Sequence, residues 1–169
     1  ILGDRAQTLD SQMQDVLTFL PKIFGRTIRK IIMNKSYRNT MEIARYAEKL
    51  TGVKDVELLK RHGKEVVEEQ FQTEDAVLDE ILSKAKLGED EYETAAIITM
   101  TEAEASILYQ ILKARGEEVH YIDRNSSVFK KGLTVTTFYL AKGLEFDQVF
   151  GVFQDAGNPM LNQAKYICA

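Results

Sequence analysis

Apolar positions along the chain fall into two alternating kinds of run. Breaker-free stretches rich in β-branched and aromatic residues read as buried strands: Thr94 to Met100, Glu118 to Ile122, Leu133 to Tyr139 and Gln148 to Phe153. Other apolar positions recur at helical spacing. Met13, Val16, Leu17 and Leu20 share one helix face, opened by Ser11-x-x-Gln14 and ended or bent by Pro21. Met41, Ile43, Ala44, Ala47 and Leu50 form a second, which starts at Asn39 with Glu42 and stops at Gly52. Ala76, Val77, Leu78, Ile81, Leu82 and Ala85 mark a third over Thr73 to Lys86. A capping box, Thr101-x-x-Glu104, opens a fourth that carries Ala105, Leu108, Ile111 and Leu112 and closes at Gly116. Arg29 to Asn34 reads as a short strand. Val53 to Phe71 reads as two strands joined by a turn at His62-Gly63, with His62 exposed and inert. Strands alternating with helices predict right-handed crossovers and a mainly parallel sheet, an α/β fold.

Composition narrows this picture. With 169 residues, 44% hydrophobic and 28% charged, the chain can bury one substantial core, and a single domain is expected over 1–169. No apolar run is long enough to span a bilayer, so no membrane partner is expected. The single cysteine, Cys168, excludes an internal disulfide and fits a reducing, cytoplasmic setting. Two distant histidines make a metal site improbable. A net charge of −4 confines any nucleic-acid contact to a local patch. The chain opens on apolar Ile1 and stops on the apolar run Tyr166-Ile167-Cys168-Ala169, which reads as a piece excised from a larger protein.

The candidate chemistry centres on the polar hinge Ala141-Lys142-Gly143-Leu144-Glu145, between two of the strand runs. In an open parallel sheet, the edge where a strand ends is where ligands bind. Lys142 suits a phosphate, Gly143 lets backbone approach one closely, and Glu145 suits a ribose hydroxyl. A second stretch, Tyr37-Arg38-Asn39-Thr40, precedes the second helix. Its guanidinium can fork two phosphate oxygens, and its phenol ring offers a flat apolar face.

These stretches together resemble superfamily 1 helicases of the UvrD/Rep type. Thr137, Lys142, Gly143, Leu144, Glu145, Phe146 and Val149 match motif V (T-x-H-x-x-K-G-L-E-F-x-x-V, here within 133–149) in order, with Tyr139 in place of the usual His. Tyr37, Arg38 and Thr40 match motif IV (34–40), with Asn39 in place of Ser. Gly3-Asp4-x-x-Gln7 resembles a remnant of motif III (1–10), without the DNA-stacking aromatics that follow in the family, and 165–169 resembles the truncated start of motif VI. The short loop from Asp123 to Gly132 has no room for the large insertion many such helicases carry there, which favours the branch of helicase IV and of the RNA-polymerase-associated helicase-like ATPases.

The resemblance implies a RecA-like, P-loop NTPase-type three-layer fold, and roles for particular residues. Gln7 and Arg38 would act on the γ-phosphate of ATP, Tyr37 would stack on adenine, and Lys142, Gly143 and Glu145 would complete the nucleotide contacts. Thr137 and Tyr139 would touch nucleic acid. No G-x-x-x-x-G-K-[ST] occurs, so the chain corresponds to the second lobe. The Mg²⁺ ligands and catalytic carboxylate would then lie on an N-terminal RecA-like lobe of the same protein. Expected partners are ATP with Mg²⁺, that first lobe, and DNA. The fragment alone would be inactive. One alternative keeps the motor and makes RNA polymerase the object remodelled. Another class is a catalytically silent RecA-like module that only binds nucleic acid or protein.

Overall fold

The computed structural model describes residues 16–27, 29, 31, 35–36, 38–52, 57–85, 87, 92–126, 130–154 and 157–169. Gln7 and Tyr37 lie outside these residues, as do the motif III stretch and the start of the first helix. The chain divides into two compact units, 1–66 and 67–169.

The larger unit holds a four-stranded, all-parallel sheet. Its strands are β3 (Thr94–Thr99), β4 (Val119–Tyr121), β5 (Gly132–Thr137) and β6 (Gln148–Val152), in the order β4-β5-β3-β6. The most apolar strand, β3, is central: Ala95, Ala96, Ile97, Ile98 and Thr99 are all fully buried. A strand shielded on both faces carries no polar alternation, which is why it reads as a continuous apolar run. Ala95 and Ile97 share one face with Leu133 and Val135 of β5 and with Val119 of β4.

Against that face pack α3 (Glu74–Lys84), through Leu78 and Ile81, and α4 (Glu102–Ala114), through Ala105, Leu108 and Leu112. Burying a side chain such as Leu112 contributes about 1.5–3 kcal/mol. The α4 capping box forms as the sequence predicts. Thr101 Oγ1 accepts from the Glu104 N–H at 3.2 Å, and the Glu104 carboxylate accepts from the Thr101 N–H at 2.8 Å. Arg115 closes α4 onto α3 by ion pairs to Asp79 (2.7 Å) and Asp75. Two further helices, α5 (Phe138–Ala141) and α6 (Leu161–Cys168), pack on each other, α5 also touching β5 and β3 and α6 touching β6. Phe138, Ala141 and Ala164 are buried there. A parallel sheet flanked by helices is a RecA-like arrangement. Among the described residues, no helix is long and apolar enough to cross a membrane.

The smaller unit contains α1 (Val16–Phe24), then a parallel pair of two-residue strands, β1 (Lys35–Ser36) and β2 (Glu57–Leu58), connected through α2 (Met41–Thr51). Gly52 ends α2 at φ 67°, a left-handed cap that glycine adopts without a Cβ clash.

Several expectations change. Pro21 sits inside α1, which runs three residues further, to Phe24. The cap of α2 is Thr40, whose hydroxyl faces the Ile43 N–H, not Asn39. Residues 59–71 form no strand. Their apolar members Leu59, Val67 and Phe71 are exposed, so the alternation there reflects no sheet face. Ala76 is exposed on α3 rather than packed. Finally, Phe138 and Tyr139 do not extend β5. They begin the α5 turn, with Phe138 fully buried and Tyr139 47% exposed. Of the 29–34 strand, the described Arg29 and Ile31 lie in no strand, and the remaining four residues fall outside the description.

Candidate functional site

Strand register places the motif V residues. Thr99 pairs with Thr137 on one side and with Val152 on the other, so these three residues mark the carboxyl edge of the sheet. Thr137 is 3% exposed and caps α5 without a side-chain bond to it. Tyr139, in the first turn of α5, projects from the same edge, its ring centroid 3.9 Å from that of Phe138. The buried Phe138 ring thus backs an exposed phenol, a surface on which a flat ring can stack.

The hinge does not sit where β5 ends, as expected, but after the helical turn. Leu144 N–H donates to Ala141 O at 2.8 Å, closing the end of α5, and Gly143 takes φ 88°. No heavy atom stands within 4 Å of where a Cβ on Gly143 would be, so its backbone is open to a close-approaching ligand. Lys142 and Glu145 are exposed on either side of it. By Asp147 the chain has returned to the amino edge, beside Thr94. Two residues span at most about 7 Å, so Glu145 is tied near that returning segment rather than to the carboxyl edge. Along the chain, Thr137 and Tyr139 thus stand at the start of α5, and Lys142, Gly143 and Glu145 follow its end.

Asp147 is the residue that sequence reasoning missed in this region. Its Oδ2 accepts from the N–H groups of Glu93 (3.0 Å) and Thr94 (2.9 Å) and from the Thr94 hydroxyl (2.9 Å). The Thr94 hydroxyl, helped by these two amides, holds the carboxyl below its ordinary range against the opposing effect of burial. It ties the end of the hinge to the start of β3. The only local sign of it was its place between the hinge and a strand.

In the smaller unit, Arg38 is exposed in the bend before Thr40 and α2. Its carbonyl accepts from Arg61 Nη1 at 3.3 Å. Nearby, His62 is not inert. Its Nδ1 lies 2.8 Å from Oε1 of Glu42, a residue 8% exposed. A carboxylate only accepts, so Nδ1 carries the proton of that bond. Gly63 N–H donates to the other oxygen at 2.8 Å. First the His62 bond and then the Gly63 bond push the Glu42 carboxyl down to about 2. Sequence reasoning had given Glu42 only a helix-start role, since its partners stand twenty residues away.

Among the described residues, no cluster of three or more His, Cys, Asp or Glu side chains is arranged around a metal position. The backbone at Gly143 is open, with the exposed Lys142 and Glu145 close to it along the chain.

No family model and no curated protein matches the chain. A solved structure does, with 30% identity over 79% of this chain and 80% of the other and a TM-score of 0.58. It is the crystal structure of the C-terminal domain of a possible DNA helicase from Lactobacillus plantarum WCFS1.

Proposed function

The chain belongs to the family of that helicase C-terminal domain, and from this premise we propose that it is the second RecA-like lobe of an ATP-driven superfamily 1 motor acting on DNA. The observation that carries the proposal is sequence identity of 30% across four-fifths of both chains, with a TM-score of 0.58. The motif V geometry supports it. A protected strand end with an exposed aromatic suits a DNA strand, and an open glycine between a lysine and a glutamate suits a nucleotide.

In this reading Arg38, with Gln7, addresses the γ-phosphate, Tyr37 stacks on adenine, and Lys142, Gly143 and Glu145 complete the nucleotide contacts. Thr137 and Tyr139 meet DNA. A first lobe supplies the phosphate loop, the Mg²⁺ ligands and the carboxylate that activates water. Catalysis of phosphoryl transfer is mostly positioning and charge stabilisation, so half a site is inactive alone. Hydrolysis removes the charge that Arg38 senses and loosens lobe closure, which would move the lobes along a strand.

The test is steady-state ATP turnover by this chain alone and by the complete protein, with and without single-stranded DNA. The expected result is background turnover by the isolated chain and DNA-stimulated turnover by the complete protein. Turnover by the isolated chain, or none by the complete protein under any DNA condition, would overturn the proposal.

A further inference from the structure

The segment Arg61-His62-Gly63 lies along the amino end of α2 and touches residues 38, 40, 41 and 42, from the arginine-bearing turn into the first turn of the helix. Arg61 Nη1 donates to Arg38 O at 3.3 Å. Arg61 O accepts the Met41 N–H at 2.8 Å, one of the helix-start donors that would otherwise lack an intrahelical partner. A Cβ on Gly63 would stand 2.7 Å from Thr40 Cγ2, so the strap lies flush on the capping residue. His62 and Gly63 each donate to a separate oxygen of Glu42 at 2.8 Å.

A glutamate in a first helical turn ordinarily faces water, where it complements the helix dipole. Glu42 is instead 8% exposed, and a shielded carboxylate is tolerated only when its oxygens are bonded. Both are. We propose that Glu42 is a positioning residue: its carboxylate clamps the 61–63 strap onto the start of α2 and thereby fixes the direction in which the 38–40 turn presents Arg38. This inference rests on the reading of Arg38 as a phosphate-contacting arginine and deepens it. A guanidinium must meet phosphate oxygens in a defined fork, and a displacement of about 1 Å in a positioning group can cost about 100-fold in rate.

The test is a double-mutant cycle in ATP turnover by the complete protein, with thermal melts of every variant. Arg38→Ala sets the baseline loss. Glu42→Ala should lower kcat/KM by roughly 10- to 100-fold. Glu42→Gln should recover most of it, because an amide oxygen can accept the Gly63 N–H while the amide nitrogen donates to the other His62 tautomer. Because Glu42 acts through Arg38, the double variant should be no slower than Arg38→Ala alone.

Losses that add in the double variant, or wild-type turnover in Glu42→Ala with only a lowered melting temperature, would overturn the clamp while leaving the role of Arg38 standing. Wild-type turnover in Arg38→Ala would instead overturn that role, and the clamp with it. Should Glu42→Ala not fold, His62→Ala removes one of the same two donors and is read by the same comparison.

Discussion

Asp147 and Thr94 hold each other at both backbone and side chain. The carboxylate accepts from the Thr94 N–H and hydroxyl, each at 2.9 Å, and the Asp147 N–H donates to that hydroxyl at 3.0 Å. The pair ties the chain just before β6 to the first residue of β3, the central strand. It therefore sets the length left to the hinge between Thr137 and the returning strand.

Replacing Asp147 with Ala should cost about 1–2 kcal/mol, since several charge-assisted bonds are lost at a largely exposed site. Its folded carboxyl is depressed, so its contribution is fully present above the ordinary carboxylate range and fades as pH falls through the lower folded value. Denaturant melts of wild type and Asp147→Ala should thus converge at acid pH. A constant gap down to low pH would contradict this.

Glu42 has the same sign over a wider window. Its carboxyl is lowered from 4.5 to about 2, first by the His62 bond and then by Gly63. Stability from this group is therefore complete above about pH 5 and is lost as pH falls toward 2. Wild type should exceed Glu42→Gln in stability at pH 7, and the two should meet near pH 2. A stability difference independent of pH would show that ionisation of Glu42 adds nothing to the stability of the fold.

How far these features were legible in the sequence depends on the range of the contacts behind them. Runs such as Thr94–Thr99 and the box Thr101-x-x-Glu104 carry their reasons within six residues, and both appear as read. The boundary at Phe138 was misread because an aromatic suits either a strand or a buried helical turn, and only packing against β3 and β5 decides between them. The two carboxylates at the centre of the account, Glu42 and Asp147, were not recognised because their partners lie twenty and more than fifty residues away. A carboxylate among charged neighbours carries no local mark of such a partner. The motif residues stood out for the opposite reason: Lys142-Gly143-Leu144-Glu145 is a contiguous string.

Tyr139 and Gly143 should separate binding from backbone strain. Tyr139→Ala, at an exposed position, should leave the melt nearly unchanged and weaken single-stranded DNA binding by the complete protein roughly 10-fold, since a stacked base is worth about 1–3 kcal/mol. Tyr139→Phe should bind like wild type, because the ring and not the hydroxyl stacks. Gly143→Ala meets no neighbour but forces a Cβ onto φ 88°, which should cost about 1 kcal/mol. Equal DNA affinity in Tyr139→Ala and wild type, by fluorescence anisotropy, would remove Tyr139 from the interface.

If this domain delivers an arginine to the terminal phosphate of ATP, that arginine is Arg38. The measurement is DNA-stimulated ATP turnover by the complete protein as wild type, Arg38→Ala and Arg38→Lys, with melts as the folding control. The expected result is a loss on the order of 10³-fold in Arg38→Ala, little rescue by Arg38→Lys because a point charge lacks the planar fork, and unchanged melts. Wild-type turnover in Arg38→Ala would contradict it.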